Sequence, residues 1–183
     1  MPESVPERKI MTGRRGSRAQ AMVEFALALP IFLLVVYGLL EAGRAVFMYA
    51  AVTTASREAA RYASASGINT AGNLNYQDCV AIRTAARNVG FLLNLPTNSL
   101  SNITIKYTIA TPTGTITKYC TKTNVGAQTD IWPGNGDFVT VTVTRQFTPI
   151  VRLVPFTTFT MQATSSRTLT GTIDMNPPTP SGP

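Results

Sequence analysis

The longest hydrophobic stretch of this 183-residue chain lies near its N-terminus, where residues 25–40 carry no charge. Glu24 and Glu41 bound this run. A helix of sixteen residues rises about 24 Å, whereas the hydrocarbon core of a bilayer is about 30 Å thick. Residues 43–51, apolar apart from Arg44, can supply the remaining length. The run therefore predicts a membrane-spanning helix with a carboxylate at its leading end.

The helical pattern continues beyond this run. Apolar residues recur there at spacings of three and four, as on one face of a helix; they are Ala45, Met48, Val52, Ala55, Ala59 and Tyr62. The charged residues of the same stretch lie off this stripe; they are Arg57, Glu58 and Arg61. We expect one helix from Gln20 to about residue 65, roughly 70 Å long, with Gly67 as its stop.

Pro30 lies inside the predicted helix. Proline has no backbone N–H, so the hydrogen bond to the Ala26 carbonyl cannot form. We expect a kink or local melting at this point.

The rest of the chain predicts a short helix followed by a sheet. Residues 76–92 have helical character, with an apolar side made of Val80, Ala81, Ala85 and Val89. Four later segments alternate threonine with isoleucine, valine and tyrosine, as strands do; they are residues 102–110, 115–121, 137–147 and 159–170. The sequence TPTG predicts a hairpin between the first two. The fold class is α+β, with a long N-terminal helix, a short second helix and an antiparallel sheet of about four strands.

These patterns divide the chain into four predicted parts. Residues 1–19 form a basic leader, and residues 20–66 form the long helix, membrane-spanning in its first half. Residues 67–174 form an exported α+β domain, and residues 175–183 form a disordered Pro-rich tail.

The positive charge of the chain is concentrated at its start. The sequence has 16 Lys and Arg against 9 Asp and Glu. Five of the basic residues fall in the first nineteen positions; they are Arg8, Lys9, Arg14, Arg15 and Arg18. A basic tip before an apolar run is typical of a cytoplasmic anchor flank, and no nucleic-acid partner is needed to explain it. This predicts an N-terminus inside and a C-terminal domain outside the cytoplasmic membrane.

Residues able to perform chemistry are scarce. The chain has no histidine, and its only acids beyond residue 66 are Asp78, Asp130, Asp137 and Asp174. That leaves little for acid–base catalysis or a transition-metal site, so we predict a protein that is not an enzyme and has no cofactor. A loop calcium site at Asp130, Asn135 and Asp137 is a weak candidate, because the spacing is not that of an EF-hand and a plain turn explains it.

The two cysteines, Cys79 and Cys120, do not form a CxxC motif. If the domain is exported, one disulfide closing a long loop is the natural interpretation, contributing roughly 2–4 kcal/mol. Two unpaired buried thiols are the alternative.

Three interpretations of the N-terminal segment follow from the residues. A cleaved secretory signal fits the basic and apolar regions, but Glu41 and Arg44 interrupt the expected cleavage site. The pair Arg14 and Arg15 is compatible with twin-arginine export, though a basic flank explains it as well. An uncleaved single-pass anchor explains everything except the position of Glu24.

A resemblance explains that position. The segments VEFALALP, LLEAGR and TTASREAARYA, within residues 18–66, resemble TadE-like minor pilins of the tight-adherence system, part of the type IV pilin superfamily. The resemblance implies a pilin or pseudopilin whose leader is removed by a prepilin peptidase on the cytoplasmic side. It also implies as partners other pilin subunits, a pilus assembly platform and membrane lipid.

The family pattern places the glutamate fifth in the mature chain, followed by an aromatic residue. Counting back from Glu24 and Phe25 implies cleavage between Ala19 and Gln20. The residue before the cut is usually glycine in this family, and this chain departs from that pattern with Ala19.

Cleavage would create a positive α-amine at Gln20. In a bundle of packed helices, the Glu24 carboxylate of one subunit can meet this amine on its neighbour and fix their axial register. Such a head-to-tail contact propagates as an open helical assembly. Gly38, Ala42 and Gly43 would let neighbouring helices approach closely. The predicted function is a structural subunit of a Tad-type pilus, serving surface adhesion; the alternative is a permanently anchored envelope protein with an extracellular binding domain.

Overall fold

A computed structural model describes residues 15–69, 72–90, 93, 95, 101–124, 126, 128–131, 133–150 and 158–170. Within these ranges the predicted α+β class is confirmed, with a long helix, a short helix and a four-stranded antiparallel sheet. The chain divides into two compact units between Gly43 and Arg44. The predicted tail and most of the predicted leader, residues 1–14, lie outside the described ranges.

Helix α1 spans Arg15–Ser64 and therefore begins before the predicted start at Gln20. No proline separates Arg15 from Gln20, so nothing in the backbone chemistry stops the helix at the predicted start. Helical structure continues through Pro30, so the local melting expected there is absent. Helix α1 ends at Ser64, in agreement with the predicted end at about residue 65. Gly67 follows with a φ of +138°, a conformation that favours glycine.

The part of α1 after Gly43 carries the predicted apolar stripe into the core. Val52, Ala55 and Ala59 are fully buried, and Ala60 and Ala63 extend the same surface. Alanines dominate this surface, so adjoining backbone can approach closely. At the end of α2 such an approach occurs, because a Cβ added to Gly90 would lie 3.3 Å from the Ala55 Cβ.

Helix α2 spans Cys79–Val89, after a 3-10 turn at Asn75–Gln77. Asp78 caps it, because its carboxylate accepts hydrogen bonds from the backbone N–H groups of Val80 and Ala81. The buried side of α2 consists of Cys79, Ile82, Arg83 and Ala86.

The predicted apolar side of α2 is a different one. Val80, Ala81 and Ala85 are only partly buried, and Val89 is exposed. Arg83, which is not among the predicted apolar residues, is buried, and backbone carbonyl groups accept hydrogen bonds from its guanidinium inside the domain. These hydrogen bonds offset the cost of burying the guanidinium, so the Arg83 side of the helix faces the core.

The sheet contains strands β1 (Ile103–Thr111), β2 (Gly114–Tyr119), β3 (Phe138–Phe147) and β4 (Phe159–Thr168), in the order β2-β1-β3-β4. All neighbouring pairs are antiparallel. The predicted hairpin is confirmed, since Thr111 pairs with Gly114. Gly114 has a φ of +139°, which the tight connection requires.

The alternation of β1 and β3 separates two faces of the sheet. Isoleucine, tyrosine and valine side chains enter the core; they are Ile103, Ile105, Tyr107, Val139, Val141 and Val143. The opposite face is rich in hydroxyl groups. There the Thr140 Oγ1 lies 3.1 Å from the Ser166 Oγ, and the Thr142 Oγ1 lies 3.0 Å from the Thr164 Oγ1. Cross-strand hydrogen bonds between hydroxyl groups therefore join β3 and β4.

Candidate functional site

The apolar run of α1 is exposed along its whole length. Large side chains point outward all around it, and Phe25 retains 66% of its accessible surface. The described residues contain one helix long and apolar enough to cross a membrane, Ala19–Ser64, whose most apolar window has a mean hydropathy of 2.3 and no buried residue. Because that window is not packed inside the domain, it differs from a core helix of a soluble protein. This exposed helix is typical of a membrane anchor.

Glu24 and the predicted cleavage residues lie on this exposed helix. Ala19, Gln20, Glu24 and Phe25 are all exposed. None of the described residues forms a hydrogen bond or an ion pair with the Glu24 carboxylate. Glu41, at the other end of the charge-free run, differs because its carboxylate accepts a hydrogen bond of 3.0 Å from the Tyr37 hydroxyl.

The predicted helix-packing residues also face open space. Gly38, Ala42 and Gly43 are exposed. A Cβ added to Gly38 or Gly43 would meet no atom within 4 Å. Within the described part of the chain, the two glycines therefore have no packing partner outside their own helix.

Cys79 and Cys120 form a disulfide with their Cα atoms 5.6 Å apart. This bond ties the first residue of α2 to the residue that follows β2. Arg83 lies one turn further along α2. Its guanidinium donates 2.5 Å and 2.6 Å hydrogen bonds to the Cys120 and Lys122 carbonyls. Burial lowers the pKa of Arg83 from its ordinary value.

A set of polar contacts lies next to this disulfide. The Gln128 side chain accepts a hydrogen bond from the Thr121 N–H and donates one to the Tyr119 carbonyl. The Gln128 backbone N–H donates to the Gln77 carbonyl, and the Gln77 side chain donates to the Ile131 carbonyl. The segment after β2 is therefore fastened to the start of α2 by hydrogen bonds as well as by the disulfide.

Tyr107 is a fully buried aromatic side chain of this core and was not singled out from the sequence. Its hydroxyl donates a 2.5 Å hydrogen bond to the Tyr76 carbonyl. Burial raises the pKa of Tyr107, so its hydroxyl stays protonated and remains a donor. The sequence signal that could have identified it is its position in β1, two residues after the buried Ile105.

The weak calcium candidate is organised as a turn. Both Asp137 carboxylate oxygens accept backbone N–H hydrogen bonds, one from Ala110 and one from Gly134. Asp130 lies on the surface, 3.8 Å from the Lys118 ammonium. Across the described ranges, no group of three or more His, Cys, Asp or Glu residues is placed to hold a metal ion.

The side of α2 that the sequence predicted to be apolar lines an open groove. Val80, Ala85 and Val89 form its floor, and Glu58 and Tyr62 from α1 form its wall, around a volume of about 480 Å³. Burial is the main cause that raises the pKa of Tyr62.

An exposed apolar N-terminal helix joined to a disulfide-linked α+β domain is the arrangement of a membrane-anchored protein. Residues 19–61 match the model of the TadE-like protein family, and this match is consistent with a TadE-like, pilin-related protein. The match covers less than a quarter of the chain and corresponds to α1 without its ends. No curated protein and no solved structure matches the chain significantly.

Proposed function

We propose that this chain is a structural subunit, a minor pilin or pseudopilin, of a Tad-type pilus and performs no catalysis. The family match supports a Tad pilus-associated protein. The observation that carries the finer proposal is the exposed, charge-free run of α1 with Glu24 at its head. A helix that is apolar all around requires either lipid or other helices as its surroundings. A pilin uses both in turn, first in the membrane and then in the filament.

In this proposal a prepilin peptidase cleaves the chain between Ala19 and Gln20. The new α-amine is positive near neutral pH, because its ordinary pKa is about 8. It meets the Glu24 carboxylate of a neighbouring subunit and sets the axial register between the two chains. An unpaired acid at the centre of a membrane helix costs roughly 2.5–3.5 kcal/mol, and less near the helix end. Pairing between chains lowers that cost.

The small residues near the end of the run have a related role in this proposal. Gly38, Ala42 and Gly43 provide a surface on which a second helix can lie close to the backbone. The open space around the two glycines is compatible with this role.

The domain that follows is proposed to face outward from the cytoplasmic membrane. The basic residues before the run favour a cytoplasmic N-terminus. The disulfide between Cys79 and Cys120 supports the same orientation, since such bonds persist in oxidising compartments. In an assembled pilus the domain would be displayed to the surroundings, where it contributes to surface adhesion.

The decisive experiment replaces Glu24 and measures assembly. We expect Glu24→Gln to insert into the membrane and to lose incorporation into filaments, because glutamine cannot pair with the α-amine as an ion. Glu58→Gln is the matched control, since it removes a carboxylate from the same helix outside the apolar run. Immunoblots of sheared filaments and of membrane fractions give the two readouts. Normal incorporation of Glu24→Gln would contradict the proposed registration.

N-terminal sequencing of the filament-bound chain tests the processing step. Loss of residues 1–19 is the expected result. An intact N-terminus, with Ala19 uncut, would instead favour the permanently anchored envelope protein with an extracellular binding domain. The observation that favours this second function is Ala19, which stands where the family usually has glycine.

A further inference from the structure

One end of the sheet is closed by an aromatic pair. Phe147, the last residue of β3, pairs with Phe159, the first residue of β4. Their ring centroids are 5.0 Å apart. Phe147 is buried, whereas Phe159 keeps 47% of its surface exposed. We call Phe147 and Phe159 the aromatic end of the sheet.

Arg44 of α1 contacts this aromatic end. Its guanidinium carbon lies 5.2 Å from the centroid of the Phe147 ring, a distance suited to a cation–π interaction. This contact connects α1 and the sheet at one defined place, within the unit that begins at Arg44.

Arg44 is also the first cation after the charge-free run. It follows Glu41 by three positions, which corresponds to about 5 Å along a helix. If the run occupies the hydrocarbon, Arg44 lies about one helical turn beyond its end, and the charge of the guanidinium favours the layer of lipid headgroups there. The aromatic end, which Arg44 contacts, is then held at a similar depth.

The surface at this end has the composition of a membrane interface. Ile150, three residues after Phe147, is 71% exposed, and Phe47, one helical turn after Arg44, is also exposed. Arg145 adds a second cation two residues before Phe147. Exposed aromatic and aliphatic side chains next to arginines bind the boundary between headgroups and acyl chains, and the arginines pair with lipid phosphates.

We propose that the aromatic end, together with Ile150 and Arg44, docks onto the outer surface of the bilayer as a second membrane contact beside the spanning helix. Phe159 and Ile150 insert at the boundary between the headgroups and the acyl chains, and the Arg44 guanidinium lies near lipid phosphates. Docking would hold the domain of an unassembled subunit against the membrane until the subunit is extracted. The inference rests on the membrane anchoring contained in the proposed function, and it is independent of filament registration.

The opposite end of the sheet supplies a matched control. Phe138, the first residue of β3, is 48% exposed, nearly the same as Phe159. It pairs with Thr168, the last residue of β4, so it lies at the other end of the same strand pair. The two phenylalanines therefore differ in location and hardly in exposure.

The experiment uses the full chain in proteoliposomes of phosphatidylethanolamine and phosphatidylglycerol with brominated acyl chains. Trp132 is the only tryptophan and is first replaced by phenylalanine. Phe159→Trp and Phe138→Trp are then made separately in that background. Bromine quenches tryptophan fluorescence on contact. We expect strong loss of fluorescence for Phe159→Trp relative to non-brominated lipid, and no loss for Phe138→Trp.

Flotation on a density gradient separates the possible outcomes. Vesicles that carry the protein but leave Phe159→Trp unquenched would overturn the docking and leave the anchoring intact. Equal quenching of both variants would also overturn it, because the contact would then not be specific to one end. Protein that fails to float would contradict the anchoring and this inference together. Ile150→Trp, at a more exposed position, provides the same readout if Phe159→Trp does not fold.

Discussion

Residues 25–40 and residues 52–63 belong to one helix, yet their apolar side chains have different surroundings. In the first segment large residues such as Phe25 and Leu39 are exposed on every side. In the second, Val52, Ala55 and Ala59 are completely buried by the domain. The first segment is built of bulky residues without charges, and the second of small residues on one face with charges on the other. Side-chain size and charge distribution, and not helix propensity, decide which segment finds its partner within the chain.

The domain and the apolar run should therefore respond to different changes. The largest expected effect is the loss of the disulfide in a Cys79→Ser/Cys120→Ser variant. The unfolded chain would gain freedom in a loop of 41 residues, and we expect the free energy of unfolding of the domain to fall by about 2–5 kcal/mol. Denaturant titration of the full chain in detergent, followed by circular dichroism, measures this loss.

A reductant is the control for the disulfide variant. It should destabilise the unmodified protein and leave the double variant unchanged. Membrane insertion, measured by resistance to alkaline extraction, should be equal in both. A variant that lost insertion along with stability would show that the two parts of α1 are not independent.

The next effect compares two alanines of the same helix. Ala59 is fully buried, whereas Ala28 lies on the exposed run. Ala59→Leu should lower the free energy of unfolding by about 1–3 kcal/mol, because the additional methyl groups overpack the core. Ala28→Leu should leave it unchanged. Denaturant titrations of the two variants side by side test this. Equal free energies of unfolding would contradict the division between buried and exposed segments.

The smallest effect concerns the charged face of the second segment. Glu58 accepts hydrogen bonds of 2.6 Å and 2.9 Å from Arg61, and these bonds lower the pKa of Glu58 below its ordinary value of 4.5. A lowered carboxyl pKa contributes stability that is present above 4.5 and is lost as the pH falls through the lowered value. Glu58→Gln should therefore be slightly less stable than the unmodified protein at neutral pH.

Acid and salt sharpen this last prediction. The difference between Glu58→Gln and the unmodified protein should shrink as the pH falls from 4.5 through the lowered pKa of Glu58, since both side chains are uncharged once Glu58 is protonated. It should also shrink at high salt, because the pair is exposed to solvent. Thermal unfolding over a pH series measures both trends; a difference that grows in acid would contradict the assignment.

Much of the fold could be predicted from local patterns. Alternation of Val and Thr in β3 identifies a strand with one buried face, and TPTG identifies the hairpin, because both signals depend on nearest neighbours. The C-terminal end of α1 followed in the same way from its apolar periodicity, whereas its start at Arg15 did not. For each of these elements, the pattern of its own residues favours a single type of secondary structure.

The buried side of α2 could not be predicted in this manner. Arg83 is excluded from a core by its charge, unless distant carbonyl groups accept its hydrogen bonds. Those carbonyls belong to Cys120 and Lys122, almost forty positions away in the chain. Gln77 is buried on the same terms, since its side chain donates to the Ile131 carbonyl, which is 54 positions away. The role of Glu24 is beyond local patterns for a related reason, because its proposed partner is another molecule.

Among the described strands, β2 and β4 lie at the two edges of the sheet. Lys118 lies on β2, which is only six residues long, and Arg167 lies on β4. Short edge strands and cations at the margins discourage strand addition between copies, because like charges would be brought together. High local crowding of this protein should therefore not convert its domains into β-aggregates. In the proposed function, contacts between copies are therefore expected from the helical segment and not from the margins of the sheet.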